Sequence, residues 1–230
     1  VKHFIIGGEV LKPEEVKRFY KVFKKNDRPY ITNVYGPTEC CVDAAAYTIN
    51  QDNISNIKRI PIGTPIKNCS IYILDKQQKP VPPGVIGELY IGGEGVGRGY
   101  CNREELTKAK FIPDLVHSGE KMYKTGDLGK WNEDGNIEFA GRIDRQVKIR
   151  GFRIELDEII NRLLSHRNVQ EAVAIAHNDQ IYAYTVCKDT QPPSQLKEYL
   201  LEYLPEYMIP TVIIGIDKIP LTNNGKTDVK

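Results

Sequence analysis

The hydrophobic pattern of the chain changes within residues 141–156, and this change limits the possible folds more than any other feature. Before it, short apolar and β-branched runs alternate with turn residues, which is the pattern of strands. After it, segments with helical spacing alternate with strand-like runs. Such a mixture in a short segment is typical of a small α+β domain. The sequence therefore predicts an α+β fold in two domains, residues 1–143 and residues 144–230.

The pattern also predicts the individual elements. In the first domain we expect a helix over residues 12–25, a short helix over 104–111, and strands at 29–34, 44–49, 70–74, 88–91, 128–131 and 137–139. In the second domain we expect helices over 156–164 and 194–204, the latter capped by Ser194, and strands at 169–176, 181–187 and 211–216. Residues 1–8 read as a buried strand ending in a glycine turn. Because no element precedes this strand, we expect the chain to be a piece of a longer protein.

Residues 141–156 carry five cations and two anions, but the whole chain does not have the charge of a nucleic-acid-binding protein. Its 32 lysines and arginines and 30 aspartates and glutamates leave a net charge of +2, which gives no field for gripping a polyanion. We therefore expect no nucleic-acid partner, but the local charge by itself does not decide between a solvated surface segment and a joint between two moving domains.

The cysteine, histidine and apolar content argues against several other classes of protein. The five cysteines are scattered and odd in number, which is a poor disulfide framework. No Cys-x-x-Cys pair occurs and the four histidines are isolated, so a zinc site is not expected. No apolar run approaches the roughly 18 to 20 residues of a membrane span, and no signal peptide is visible. A cytoplasmic protein without membrane contact is predicted.

Two glycine-containing motifs resemble nucleotide-binding loops and fail. Gly225-Lys226-Thr227 has the end of a P-loop, but the glycine required five positions before Gly225 is replaced by Pro220. Residues 92–99 contain five glycines, but the spacing Gly-x-Gly-x-x-Gly is never completed. We interpret this segment as a structural turn in which glycines let the backbone approach its neighbours closely.

Two other segments carry side chains suited to a nucleotide. Residues 35–39 place the aromatic ring of Tyr35, the hydroxyl of Thr38 and the carboxylate of Glu39 around a Gly-Pro turn. Such a loop suits purine stacking and a hard cation such as magnesium, or it is a simple surface turn. Asp127 follows Gly126 at a predicted strand start, where a carboxylate accepts the hydroxyls of a ribose or caps a turn.

Taken in order, five motifs resemble the amino-acid adenylation domains of nonribosomal peptide synthetases. They are NVYGPTE at residues 33–39, GELYIGG at 87–93, YKTGDL at 123–128, GRIDRQVKIRGFRIEL at 141–156 and PLTNNGK at 220–226. Family members have a longer N-terminal portion with a phosphate-binding loop and an aspartate that holds the substrate amino group. The resemblance implies that residues 1–143 form the end of the large subdomain, with a β-rich, distorted barrel-like part. Residues 144–230 would form the complete small subdomain, which acts as a lid.

The resemblance also implies an activity and the residues that carry it. The complete domain would activate an amino acid with ATP and magnesium as aminoacyl-AMP. It would then pass the aminoacyl group to the phosphopantetheine thiol of a carrier protein, beside neighbouring synthetase domains. The residues implied for nucleotide binding are Gly8, Asn33, Tyr35, Asp127 and Arg142; those implied for catalysis are Thr38, the magnesium ligand Glu39 and Lys226, and the hinge is Asp144. We expect the chain by itself to be inactive.

Part of a substrate pocket is implied by the same resemblance. It comprises Ile5, Gly7, Val34, Val42 and Asp43. Asp43 is expected to be buried, and a buried carboxylate needs a polar or charged partner. The pattern resembles pockets for glutamine or glutamate, with ornithine second. The alternatives are a D-alanine–carrier ligase or an acyl or aryl ligase of the same superfamily, and a nucleotide-binding or interaction module without activity.

Overall fold

The computed structural model describes residues 1–24, 27–49, 54–55, 57–189 and 193–220. The chain divides into two units, Val1–Asp144 and Arg145–Lys230. The division lies one residue beyond the boundary expected from the sequence, inside residues 141–156. Each unit has a hydrophobic cluster of its own, and the α+β fold class is confirmed.

The first unit begins with a four-stranded sheet of order β1-β2-β3-β4. Its elements are β1 (His3–Gly7), α1 (Pro13–Tyr20), β2 (Tyr30–Tyr35), β3 (Ala45–Ile49) and β4 (Thr64–Pro65). Strands β1 and β2 are parallel and α1 is the crossover between them. Helix α1 buries Val16 and Tyr20 against Ile31 and Ile49, because its apolar residues recur at helical spacing.

The second sheet of this unit has five strands around the long strand β8. Its elements are β5 (Cys69–Leu74), β6 (Gly87–Gly93), α2 (Glu104–Lys110), β7 (Phe111–Pro113), β8 (Lys121–Trp131) and β9 (Ile137–Arg142). Strand β6 pairs with β8 from Met122 to Gly129, whereas β7 and β9 pair with its two ends. A bridge between Gly63 and Ile137 links this sheet to the first.

The second unit combines a hairpin, two helices and a three-stranded sheet of order β12-β13-β14. Its elements are β10 (Gln146–Ile149), β11 (Phe152–Glu155), α3 (Leu156–Leu164), β12 (Val169–His177), β13 (Gln180–Cys187), α4 (Pro193–Leu201) and β14 (Val212–Gly215). The core combines Ile154 of β11 and Ile159 and Leu163 of α3 with Leu200 of α4 and Ile213 of β14. Helix α3 has the bounds that the sequence predicts.

Part of residues 141–156 forms regular structure that the sequence pattern did not predict, whereas Ile143, Asp144 and Arg145 are exposed. Residues 146–155 fold into the β10–β11 hairpin, and Ile149 and Ile154 are buried in the core of the second unit. Successive side chains of a strand point to opposite faces of the hairpin. Ile149 is therefore buried while its neighbour Lys148 is exposed.

Several other predictions are corrected by the structure. The strand at residues 3–7 exists but is mostly exposed, since it is an edge strand. The helix predicted over 12–25 ends at Tyr20, and its predicted end at Lys25 lies outside the described residues. The helix predicted over 194–204 runs from Pro193 to Leu201, so that Ser194 lies in its first turn. The strand predicted at 128–131 is the end of the eleven-residue strand β8.

Candidate functional site

Two side chains from different sheets converge on the carboxylate of Asp127. Asp127 in β8 lies directly opposite Arg142 in β9, and opposite residues of an antiparallel pair share a face. Arg142 Nη1 donates to Asp127 Oδ1 at 2.5 Å, and the hydroxyl of Tyr35 donates to Oδ2 at 2.6 Å. Asp127 is 7% exposed. Its charge is therefore stabilised by a largely buried guanidinium and by the hydroxyl of the half-buried Tyr35.

The backbone around Asp127 is fixed by Thr125 and Gly126. The Thr125 hydroxyl donates to the carbonyl of Leu89 at 2.7 Å and accepts the N–H of Asp127 at 2.9 Å. Gly126 has φ +77°, and a Cβ there would lie 2.9 Å from Arg142 Nη2. Glycine is needed at this position because the backbone is left-handed and the guanidinium passes close to it.

The tyrosine hydroxyl remains a donor at neutral pH. Burial raises the pKa of Tyr35 well above its usual range, and the neighbouring Asp127 carboxylate raises it further. Each oxygen of a carboxylate has two lone-pair sites, so Asp127 can accept a further hydrogen bond beside that from Tyr35. The arrangement can therefore receive a diol at Asp127 while the ring of Tyr35 lies next to it.

Arg142 connects Asp127 to the end of the unit. Its Nε and Nη2 atoms donate to the two oxygens of Asp144 at 2.7 and 2.9 Å, and Nη2 also donates to the carbonyl of Thr125 at 3.0 Å. Such a two-pronged contact fixes both position and orientation. Asp144, the residue implied as the hinge, is the last residue of the first unit.

Glu39 lies in a short 3-10 turn, Thr38–Cys40, four residues after Tyr35. The hydroxyls of Tyr100 and Tyr123 both donate to its Oε1 atom, at 2.6 and 2.9 Å. Thr38 at the start of the turn is exposed. Within the described part of the chain no group of three or more metal-binding side chains occurs. A single carboxylate nevertheless suits magnesium, which keeps several waters and takes substrate phosphates as ligands.

The expected pocket residues lie at the carboxyl ends of β1 and β2 and in the loop that follows. Gly7 pairs with Val34, and a Cβ on Gly7 would lie 2.6 Å from Val34 Cγ2. Ile5 and Val42 are 70% and 64% exposed, which leaves apolar surface beside this strand end. Asp43 is half-buried rather than buried, because it sits in a loop that covers only part of its side chain.

The backbone at Val42 is unusual for a β-branched residue. Its φ is +75°, and the N–H of Asp43 donates to the carbonyl of Cys41 at 2.9 Å, which closes a three-residue turn around Val42. The loop is held shut by the N–H of Ala44, which donates to the carbonyl of Tyr35 at 2.7 Å. A strained residue of this kind costs of the order of 1–3 kcal/mol and is frequent at functional sites.

Three further residues were expected at the nucleotide: Gly8, Asn33 and Lys226. Gly8 is exposed with φ +93°, and nothing lies within 4 Å of a Cβ built there. Asn33 is 4% exposed, and its side-chain amide donates to the carbonyl of Pro61 at 2.8 Å. Lys226 lies outside the described residues. The roles of all three towards the nucleotide stay predictions.

Sequence reasoning missed Thr125, Tyr100 and Tyr123 as parts of the site. Thr125 and Tyr123 belong to a quoted motif but received no role, and Tyr100 follows the glycine-rich segment. A signal was present in the form of tyrosines in otherwise apolar strand patterns, since a buried tyrosine hydroxyl needs a partner. Which carboxylate it meets could not be read from spacing.

The described residues also contain no helix long and apolar enough to cross a membrane.

Comparison with known proteins identifies the family. The chain matches the AMP-binding enzyme model over residues 1–101 and the AMP-binding enzyme C-terminal domain model over residues 158–226. It is 48% identical to bacitracin synthase 1 of Bacillus licheniformis over 99% of its own length, and 46% identical to tyrocidine synthase 3 of Brevibacillus parabrevis over 100%. The chain spans 4% of each of these relatives.

Its structure is also similar to that of holo-PA1221, an NRPS protein containing adenylation and PCP domains bound to a vinylsulfonamide inhibitor. The TM-score is 0.85 at 27% identity, over 99% of this chain and 39% of the other. The fold and the sequence relatives thus point to the same family. The chain belongs to the AMP-binding enzyme family, among the amino-acid adenylation domains of nonribosomal peptide synthetases.

Proposed function

We propose that this chain supplies part of an adenylation domain that activates an amino acid with ATP as aminoacyl-AMP and transfers it to a carrier protein. The observation that carries the proposal is the convergence of Tyr35 and Arg142 on Asp127. These three residues come from separate parts of the sequence, and family resemblance assigns all three to the nucleotide. A family member that had lost nucleotide binding would have no need to keep this arrangement.

The three residues would divide the nucleotide between them. The Asp127 carboxylate accepts hydrogen bonds from the ribose hydroxyls, for which its oxygens have additional lone pairs. The half-buried Tyr35 ring offers an apolar face to the adenine. Arg142 forms an ion pair with Asp127 and orients its carboxylate.

The charge that develops on the phosphate oxygens would be stabilised from the loop after β2 and from the small domain. Glu39 would hold the magnesium ion that accompanies ATP, and Thr38 would contact the phosphates. Lys226 would bridge the substrate carboxylate and the nucleotide. Removing one such charged group typically costs a few kcal/mol, which corresponds to a rate factor on the order of 10² to 10³.

The proposed transfer step involves phosphopantetheine on a carrier protein. Its support is the relationship to PA1221, which contains adenylation and PCP domains. Asp144 is proposed as the hinge, and the division of the chain after this residue supports that assignment. Neighbouring synthetase domains would be further partners, and a cytoplasmic setting stays a prediction.

The proposed substrate is glutamine or glutamate, with ornithine second. Small or apolar side chains at Gly7, Val34 and Val42 leave room for a side chain of medium length. The half-buried Asp43 would accept a hydrogen bond from an amide or an ammonium group, or would pair with a lysine that reads a substrate carboxylate. A panel of amino acids in the exchange assay described next would rank these possibilities.

The test of the proposal is ATP–pyrophosphate exchange by a hybrid domain. The chain is joined to the segment of bacitracin synthase 1 that precedes the matched region, and exchange is measured with each candidate amino acid. We expect exchange in the hybrid and none in the isolated chain. We also expect a loss on the order of 10² or more in Asp127→Asn and no loss in Asp134→Asn, an exposed turn carboxylate in the same sheet.

The outcomes separate the competing functions. Exchange with D-alanine alone or with an acyl or aryl acid would assign the hybrid to those ligases. Nucleotide binding by the hybrid without any exchange would favour the non-enzymatic module. Equal activity of the Asp127→Asn and Asp134→Asn variants would refute the role of Asp127.

The two half-reactions test Lys226 and Asp144. We expect Lys226→Ala to slow adenylation far more than transfer from preformed aminoacyl-AMP. We expect Asp144→Pro to slow one half-reaction by on the order of 10² and to leave the other nearly unchanged, because proline fixes φ near −65°. Single-turnover rates of both half-reactions give the answer, and near-wild-type rates in Asp144→Pro would contradict the hinge assignment.

A further inference from the structure

Glu39 is held by three groups that are distant in the sequence. Its Oε1 atom accepts hydrogen bonds from the hydroxyls of Tyr100 and Tyr123, at 2.6 and 2.9 Å. The two hydroxyls lie 3.2 Å from each other. The carbonyl of Glu39 accepts the N–H of Gly97 at 2.8 Å. Both the side chain and the backbone of Glu39 are thus tied to the second sheet and to the segment that follows β6.

Tyr123 is a rigid support because it lies in the middle of the second sheet. It is 0% exposed. Its backbone is paired with Ile91 of β6 on one side and with Phe111 of β7 on the other. A side chain in this position cannot follow a movement of the loop, so it defines where the carboxylate of Glu39 must lie.

Tyr100 is held by α2 and by an aromatic neighbour. Its N–H donates to the Thr107 hydroxyl at 2.9 Å. Its ring packs edge-on against Phe111 with centroids 5.4 Å apart, and Phe111 lies 5.1 Å from the ring of Tyr123. Gly99, just before it, has φ +138°, and a Cβ there would lie 2.4 Å from Thr107 Cγ2. The approach of this segment to α2 therefore depends on glycine.

Glycines also let the same segment lie against the loop that carries Glu39. A Cβ on Gly97 would lie 3.1 Å from the carbonyl oxygen of Glu39, and a Cβ on Gly95 would lie 3.2 Å from that of Cys40. Both distances are tighter than ordinary contacts. The glycine-rich segment at residues 92–99 thus packs on Glu39, which gives a physical reason for its composition.

Two hydroxyl donors on one oxygen fix the direction of a carboxylate. A glutamate side chain otherwise loses rotamer freedom when a ligand immobilises it. Burial and the hydrogen bond to Glu39 raise the pKa of Tyr100, so that its hydroxyl keeps the proton that it donates. The cost of ordering Glu39 is thereby met before a ligand arrives.

We propose that Tyr100 and Tyr123 are positioning residues that hold the Glu39 carboxylate in place for the magnesium ion accompanying ATP. The inference rests on the proposed function, since it takes Glu39 as the magnesium ligand. Replacing a residue that hydrogen-bonds a metal-binding carboxylate typically lowers metal affinity by about 10- to 100-fold. Replacement by phenylalanine removes the hydroxyl and keeps the ring in its packing.

The test measures metal affinity directly in the hybrid domain. Mn²⁺ replaces Mg²⁺ and is titrated by electron paramagnetic resonance in the presence of a non-hydrolysable ATP analogue. The variants are Tyr100→Phe, Tyr123→Phe and the double variant. The control is Tyr72→Phe in the same sheet. It removes a partly buried hydroxyl that donates to the Asp114 carboxylate at 3.3 Å. Unfolding midpoints of all variants report on the fold.

We expect Mn²⁺ affinity to fall about 10-fold in each single variant and about 100-fold in the double variant, with no change in Tyr72→Phe. The amino-acid KM should not change, whereas the Mg²⁺ concentration needed for half-maximal exchange should rise by the same factors. Unchanged Mn²⁺ affinity in the double variant, or the same loss in Tyr72→Phe, would overturn the proposal. Failure of the unsubstituted hybrid to bind Mn²⁺ with the nucleotide would overturn it as well. Normal Mn²⁺ binding without exchange would instead refute the proposed function while leaving the role of the tyrosines supported.

Discussion

Replacing Arg142 with methionine should destabilise the first unit far more than replacing an exposed cation of the same unit. The side chains of Arg142 and Asp127 are 15% and 10% exposed, and their N···O distance is 2.5 Å. Methionine keeps most of the apolar stem and removes the charge. Asp127 then keeps the hydroxyl of Tyr35 but loses the guanidinium, which weakens the charge compensation of a buried carboxylate.

The magnitude follows from burial. Removing one partner of a fully buried ion pair costs about 3–5 kcal/mol. Because Asp127 retains the hydrogen bond from Tyr35 and is not fully enclosed, we expect Arg142→Met to lower the free energy of unfolding by about 2–3 kcal/mol. The control is Lys108→Met. Lys108 pairs with Glu105 at 3.1 Å, but the two side chains are 70% and 91% exposed, so we expect a change below about 0.5 kcal/mol.

The assay is urea unfolding of the chain followed by tryptophan fluorescence. Trp131 is the single tryptophan and lies in β8, so the signal reports on the first unit. The double variant Arg142→Met, Asp127→Asn should be less destabilised than the sum of the two single variants, because removing the buried charge relieves the penalty. An effect of Arg142→Met within about 0.5 kcal/mol of that of Lys108→Met would refute the reasoning.

Three further predictions concern stability and reactivity. The pKa of Tyr100 is raised in the folded state, so the contribution of its protonated hydroxyl to the free energy of unfolding is complete below the ordinary tyrosine pKa near 10 and declines as the pH rises above it. The free energy of unfolding of Tyr100→Phe should therefore fall less steeply than that of the wild type between about pH 10 and 11. Gly63→Ala should cost at least about 2 kcal/mol more than Gly84→Ala in the same urea assay, since both residues have positive φ but only a Cβ on Gly63 meets a backbone oxygen, at 1.9 Å. Burial raises the pKa of Cys40 to about 12, whereas Cys41 is exposed, so tandem mass spectrometry after iodoacetamide treatment at pH 8 should find Cys41 modified at least about 100-fold faster; similar rates would contradict the burial of Cys40.

The sequence predicted most elements well wherever a regular apolar pattern continued to the end of the element. The helix Leu156–Leu164 and the strand Ala45–Ile49 lie at or within one residue of their predicted bounds. The helix predicted to Lys25 ends at Tyr20, although Val22 and Phe23 continue its pattern. Val22 is 76% exposed and gains no burial from a further helical turn, whereas Phe23 is half-buried against Phe19 without one. Tertiary contacts therefore decided where this helix stopped.

Strand β8 shows a second limit of sequence reasoning. Its middle contains Thr125 and Gly126, which read as a turn before a strand start. In the structure the strand continues through them, because Thr125 donates its hydroxyl to the Leu89 carbonyl and glycine tolerates the positive φ. The short strands β7 and β10 were missed because three or four residues carry too little periodicity to be recognised.

By itself the sequence determined the order of the motifs, the division of the chain within residues 141–156, and the turn that carries Glu39 after the Gly-Pro pair. These are local properties, because turn residues, periodicity and motif spacing act over a few positions. The tertiary structure decided which groups meet. The register of β8 and β9 sets Asp127 opposite Arg142, and the folding of the second sheet brings Tyr123 to Glu39 across 84 positions of sequence. A hydrogen bond between such distant groups depends on strand pairing and packing, which no local pattern encodes.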